Sequence, residues 1–233
     1  MRPLSCLHRS RPPERSPAST GSSPRVNSDL GKQSLGLGRI PDSLLPPEGT
    51  KALLFDCDGT LVDTLALYRR CWDVVFGKRG FIITDEWFET WRGHSMEAFL
   101  LAALPSLDER GLIDVENEGL ELFFERSHEL EAFDHVVDIA RHFHGTLPIA
   151  VVSGGPRRAV ERTLEGAGIA DLFDLVVTNN DVSNGKPAPD VYLLAMERLG
   201  VDPKHCVAYE DSGSGIESAT SAGIPYVFDV RIP

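Results

Sequence analysis

Residues 51–63 read Lys51-Ala52-Leu53-Leu54-Phe55-Asp56-Cys57-Asp58-Gly59-Thr60-Leu61-Val62-Asp63. The apolar run at its start has no polar face, which suits a strand buried on both sides of a parallel sheet. It ends in two carboxylates two residues apart, and Gly59 then opens the backbone. Ligands of open α/β sheets bind beyond the carboxyl ends of strands, so this end is a candidate site. Asp and Gly are also ordinary turn residues, and the segment alone leaves both readings open.

Four later segments repeat the strand pattern: Leu147–Val152, Asp174–Thr178, His205–Tyr209 and Pro225–Val230. Helical patterns at Pro156–Gly166, Pro187–Leu199 and Gly213–Ala222 separate them, and each gives way to glycine. Strands alternating with helices predict right-handed βαβ units and a parallel sheet with helices on both faces. From Leu65 to about His144 the texture is helical only, with amphipathic runs at Leu65–Phe76, Asp85–Trp91, Met96–Leu104 and Val115–Ala132. A helical block after the first strand of such a chain predicts a second, smaller domain inserted there.

Composition bounds the partners. Of 233 residues, 35 are Asp or Glu and 23 are Lys or Arg, for a net charge of −12. Residues 1–40 hold seven Lys/Arg against Glu14 and Asp29, a balance of +5 that leaves −17 to the rest. So acidic a body lacks a nucleic-acid footprint, and it needs a cation to meet a phosphate. No apolar run reaches the ~18 residues of a membrane span. The leading segment, residues 1–48, is rich in Ser, Pro and Arg and is expected to be disordered or a leader. An organelle transit peptide has that composition, whereas a secretory signal would need an apolar stretch. Four scattered cysteines (Cys6, Cys57, Cys71, Cys206) suit reduced thiols, and a cytoplasmic location is expected unless residues 1–45 direct the chain elsewhere.

Three further strand ends carry chemistry. Ser153-Gly154-Gly155-Pro156 joins a strand directly to a helix, where free backbone N–H groups make an anion site, or where Ser153 is simply a cap. Lys186 sits in the proline-stiffened loop Gly185-Lys186-Pro187-Ala188-Pro189-Asp190, just before a helix. Glu210-Asp211-Ser212 follows the fourth strand and offers hard oxygen ligands suited to Mg²⁺, or is an acidic turn.

Each motif is ambiguous, but an acid pair, a Ser-Gly turn, a Lys-Pro loop and a second acid pair on successive strands is a specific order. Over residues 51–233 it resembles the haloacid dehalogenase-like hydrolases, in the subfamily of β-phosphoglucomutase and sugar-phosphate phosphatases. The resemblance implies an α/β fold, a Rossmann-like parallel sheet core with an inserted all-helical cap domain. Residues 49–64 and 145–233 form that core and 65–144 the cap. It also implies a Mg²⁺-dependent phosphomonoesterase. Asp56 matches the nucleophile, and Asp58 the general acid and base. Ser153, Gly154 and Lys186 match the phosphoryl-binding groups. Asp56, the Asp58 carbonyl, Glu210 and Asp211 match the metal ligands. Asp63 is expected to order the turn before the cap. The substrate expected is a small phosphorylated metabolite, with no nucleic acid or membrane partner and a monomeric enzyme.

Specificity belongs to the cap. Where β-phosphoglucomutases typically carry a His and a cap Arg, this chain has Tyr68 and Met96, which favours hydrolysis over isomerisation. Arg92 and His94 are the candidates for reading the sugar. The C-terminal third resembles fructose-1-phosphate-type phosphatases. A dehalogenase would lack Asp58, and a phosphonate hydrolase would need a cap Lys better placed than Lys78. The alternatives are a β-phosphoglucomutase-type isomerase and, from another class, an inactive phosphate-binding module. Cys57, between the two acids, is expected to point into packing, because successive strand side chains alternate.

Overall fold

The structure is a computed structural model describing residues 40–91 and 96–231. Five strands, β1 (Ala52–Phe55), β2 (Ile149–Val152), β3 (Leu175–Val177), β4 (Cys206–Glu210) and β5 (Tyr226–Asp229), pair in parallel in the order β3-β2-β1-β4-β5. The central strand β1 places Leu53 beside Ile149 on one edge and Val207 on the other.

Side-chain alternation divides the sheet into two apolar layers. Leu53, Phe55, Ile149, Val151, Val207 and Tyr209 face one layer; Ala52, Leu54, Ala150, Val152, Cys206 and Ala208 face the other. All are essentially inaccessible, which is why these strands show no polar alternation in sequence. The first layer is closed by α5 (Asp134–Phe143) and α6 (Arg157–Gly166), through Val136, Val137, Ile139, Ala140, Val160 and Leu164. The second is closed by α7 (Asp190–Leu199) and α8 (Gly213–Ser221), through Val191, Tyr192, Ala195, Met196 and Ala219.

Between β1 and β2 the chain forms α1 (Thr64–Gly77), α2 (Asp85–Trp91), α3 (Met96–Ala103), α4 (Glu109–Glu125) and then α5. Trp72, Val75, Phe76, Phe88, Phe99, Leu100 and Val115 make an aromatic-rich core of their own within this insertion. α1 and α4 also feed the first sheet layer through Leu67, Cys71, Phe123 and Phe124. The two crossings of the insertion run side by side: the Asp63 N–H donates to the Glu131 carbonyl and the Phe133 N–H to the Leu61 carbonyl, both at 2.9 Å.

Some element bounds differ from the sequence reading. α4 starts six residues early because Asp108 caps it, its carboxylate accepting from the Gly111 N–H at 2.8 Å. It ends at Glu125, and the chain then turns through a short 3₁₀ segment, Ser127–Glu129, before α5. Pro187 and Pro189 precede α7 rather than opening it, with Pro189 at the cap position. Within the leading segment Ile40 and Leu44 are buried against the first sheet layer, and the Leu44 carbonyl accepts from the Tyr209 hydroxyl at 2.9 Å. Composition averaged over the segment hides these two anchors. No helix among the described residues is long and apolar enough to cross a membrane.

Candidate active site

Parallel register brings the carboxyl ends of β1, β2 and β4 to one edge of the sheet, and the signature residues follow from it. Asp56 comes one residue after β1, its N–H donating to the Tyr209 carbonyl at 3.0 Å. Ser153 comes one residue after β2, its N–H donating to the Val177 carbonyl at 2.9 Å. Glu210 is the last residue of β4. Lys186 reaches in from the loop before α7. One cavity is lined by Asp56, Asp58, Ser153, Gly154, Gly155, Lys186 and Asp211. Residues 130 positions apart in the chain thus share one wall.

The Lys186 ammonium is the hub. It donates to Asp56 Oδ1 at 2.6 Å, to Glu210 Oε1 at 2.6 Å and to the Val152 carbonyl at 2.8 Å. The Lys186 and Asp56 side chains are 7% and 9% exposed, and Glu210 is fully buried. An ammonium has three N–H donors, and here all three are used. Burial alone would make Lys186 easier to deprotonate, but the Asp56 and Glu210 charges outweigh it and hold its pKa above the usual value.

The carboxylates respond the opposite way. Burial pushes Asp56 up to about 6, with Lys186 opposing and the charges of Asp58 and Asp211 adding to it. Asp58 is raised chiefly by burial, with Lys186 opposing and Asp211 adding. Glu210 is raised by burial and then by Asp56, Asp211 by burial and then by Glu210. Four acids therefore crowd this strand edge, with Asp56, Asp58 and Asp211 lining the cavity and Glu210 fully buried, and Lys186 is the only cation ion-paired to any of them among the described residues. Asp56, Glu210 and Asp211 each bring a ligand oxygen within 4.8 Å of the others. An all-oxygen, electron-rich cluster of this kind suits a hard divalent cation.

Two glycines make the crowding feasible. Gly59, at φ +86°, leaves room where a Cβ would fall on the Asp211 carboxylate; Gly215, at the start of α8, leaves room for Glu210 in the same way. Asp211 also accepts from the Thr60 hydroxyl at 3.4 Å. At the Ser153 turn the hydroxyl accepts from the Gly155 N–H at 3.0 Å, while Gly154 stays exposed at the cavity wall.

A model of the haloacid dehalogenase-like hydrolases matches residues 50–223. The chain belongs to that family. Fructose-1-phosphate phosphatase YqaB of Escherichia coli (strain K12) is 35% identical to it over 188 residues, which span 77% of this chain and 96% of that protein. A phosphorylated carbohydrates phosphatase of Thermotoga maritima is 30% identical over 185 residues, covering 77% and 85%. Among solved structures, CbbY from Rhodobacter sphaeroides in complex with phosphate superposes with a TM-score of 0.65 at 26% identity, covering 79% of this chain and 89% of that one. With relatives of these kinds the chain stands among the phosphoric monoester hydrolases of the haloacid dehalogenase-like family.

Other residues fall where packing puts them. Asp63 caps α1, accepting from the Ala66 N–H at 3.3 Å. Cys57 is fully buried, and burial pushes its thiol well above the usual value. Tyr68 lies flat on Phe123, ring centroids 4.3 Å apart, as part of the packing between insertion and core. Arg92 and His94 lie outside the described residues. Sequence reasoning missed Leu65, Asn179 and Ser214, which also line the cavity with Ser212 of the Glu210-Asp211-Ser212 motif. It also missed Tyr192, whose hydroxyl donates to Glu210 Oε1 at 2.7 Å. Asn179 directly follows a recognised strand and Leu65 lies two residues past the acid motif, positional signals available in the sequence. Tyr192 gave none, because its helical spacing marks it as core.

Proposed function

We propose that this haloacid dehalogenase-like hydrolase is a Mg²⁺-dependent phosphatase of a small sugar phosphate, fructose 1-phosphate-like, acting through an aspartyl-phosphate on Asp56. The observation that carries the reading is the Asp56–Lys186–Glu210 arrangement beside Asp211. It joins a carboxylate nucleophile, a buried cation and spare acidic ligands at one strand edge. The relatives' names support the choice of a sugar phosphate.

Asp56 attacks phosphorus as the bond from phosphorus to the sugar oxygen breaks, and Asp58 gives that oxygen its proton. A raised pKa keeps a proton available on Asp58 for this step. Water then attacks the aspartyl-phosphate, Asp58 takes its proton, and inorganic phosphate leaves with Asp56 restored. Ser153, the Gly154 N–H and Lys186 hold the phosphoryl oxygens. Lys186 reaches them by exchanging one of its three present acceptors. Mg²⁺, held by Asp56, the Asp58 carbonyl and Asp211 with Glu210 beside them, would neutralise the charge between nucleophile and phosphate. Residues 65–144 serve as the cap, over a core of 49–64 and 145–233, with Arg92 and His94 as sugar-reading candidates.

Phosphate release from a panel of sugar phosphates, nucleotides and phosphoglycolate tests the substrate class. Preference for a hexose phosphate is expected, and preference for a nucleotide or phosphoglycolate would overturn it. Conversion of β-glucose 1-phosphate to glucose 6-phosphate faster than phosphate release would favour the isomerase instead. Asp56→Asn should abolish turnover with the fold intact. Retained activity in that variant, or full activity in excess EDTA, would sink the mechanism.

A further inference from the structure

Tyr192 lies on α7, six residues beyond Lys186, and is fully buried in the second sheet layer. Its spacing with Val191, Ala195 and Met196 accounts for the ring but not for the hydroxyl, which points away from that apolar layer to Glu210 Oε1 at 2.7 Å. The same oxygen accepts from Lys186 at 2.6 Å. The Lys186 ammonium also stands 5.2 Å from the centre of the Tyr192 ring. Gly215 lies against the Glu210 carboxylate, where any Cβ would strike both oxygens, and Oε2 accepts from the Ser212 hydroxyl only at 3.4 Å.

We propose that Tyr192 is a positioning residue: by holding Glu210 Oε1 it aims the Lys186 ammonium at the phosphoryl site. The inference rests on the reading of Lys186 as a phosphoryl-binding cation. A lysine is a point charge on a flexible four-carbon stem, so its direction is set by its acceptors. Of those three acceptors, the Val152 carbonyl is rigid backbone and Asp56 is the group that reacts. Glu210 is the remaining side-chain acceptor, and its terminal carboxylate torsion has no sharp rotamer preference of its own. Two donors converging on one oxygen remove that freedom. Phenylalanine at 192 would fill nearly the same volume and leave Glu210 Oε1 with a single donor.

The test uses the full chain with an aryl phosphate and Mg²⁺, and compares Tyr192→Phe, Glu210→Gln, their double variant and Lys186→Ala. Kinetics, competitive inhibition by inorganic phosphate and Tm are read for each. Tyr192→Phe should lower kcat about tenfold and weaken phosphate inhibition severalfold, the tenfold being what loss of one hydrogen bond to a charged group amounts to when it is felt in the transition state. Added to Glu210→Gln, it should cost less than a further twofold, because the two act through one contact. A hydroxyl that only stabilises the fold would lower Tm and leave kcat and phosphate inhibition unchanged. That result, or fully multiplicative losses in the double variant, overturns the proposal. Full activity and phosphate inhibition in Lys186→Ala would overturn the reading of Lys186 itself. Wild-type behaviour of Tyr192→Phe beside an inactive Lys186→Ala would overturn the positioning role alone.

Discussion

Gly59 presses its bare α-carbon against the Asp211 carboxylate, two residues that lie 152 positions apart and meet because β1 and β4 are neighbours in the sheet. The backbone at Gly59 is in the left-handed region, at φ +86°. Both conditions exclude a side chain. Gly59→Ala is expected to cost about 1–2 kcal/mol from backbone strain. Moving Asp211 should also raise the Mg²⁺ concentration needed for half-maximal activity by tenfold or more. Titrating Mg²⁺ against activity checks this, and an unchanged requirement would detach Asp211 from the metal.

Asp58→Ala should separate good leaving groups from poor ones. A sugar alkoxide needs a proton as it departs, whereas nitrophenolate hardly does. The loss on a sugar phosphate should therefore exceed the loss on nitrophenyl phosphate by about 10²-fold. Equal losses would remove the general-acid role.

Acidification should stabilise the metal-free protein between pH 7.5 and 5. Asp56 sits near 6 in the fold against an ordinary 3.8, and Asp58, Glu210 and Asp211 are also raised. A carboxyl raised on folding contributes stability that is fully present below its unfolded pKa and is lost as pH rises through its folded one. The carboxylates that are lowered, such as Asp181 and Glu118, titrate below this window. In EDTA, Tm should rise as pH falls, by an amount of order 1–3 kcal/mol in stability. Mg²⁺ should lift Tm more at pH 7.5 than at pH 5, and Asp56→Asn should flatten the profile. A Tm in EDTA that falls over this range would contradict the buried-acid cluster.

Gly119→Ala tests the insertion's packing without touching the site. In an exposed helix this change would stabilise by about 0.5–1 kcal/mol. At this position a Cβ would land on the Trp72 indole, which is itself buried among Phe76 and Phe99. Overpacking of that kind costs about 1–3 kcal/mol, so the variant should be less stable than wild type. A raised Tm would show that the α1–α4 contact is looser than described.

Strand-end chemistry is local, and for that reason it was legible in the linear string. An apolar run with no polar face can only be buried on both sides, and a residue one place past it must stand at the sheet's carboxyl edge. Asp56, Ser153, Glu210 and Asp211 could therefore be picked out from their places at strand ends, and Lys186 from its proline-stiffened loop, and the family resemblance with them. Which of them touch was not written there. That Lys186 spends all three donors on Asp56, Glu210 and Val152 depends on the strand order β2-β1-β4 and on the path of the loop before α7. The burial of Ile40 and Leu44 likewise needed the sheet layer they lie against. Tyr192 shows the difference most sharply: its position on a helix told only that it faces inward, while the role of its hydroxyl depends on Glu210, brought from another strand to 2.7 Å. Periodicity carries burial, because burial is a property of one element. Hydrogen-bond partnership belongs to two elements at once, and only their packing supplies it.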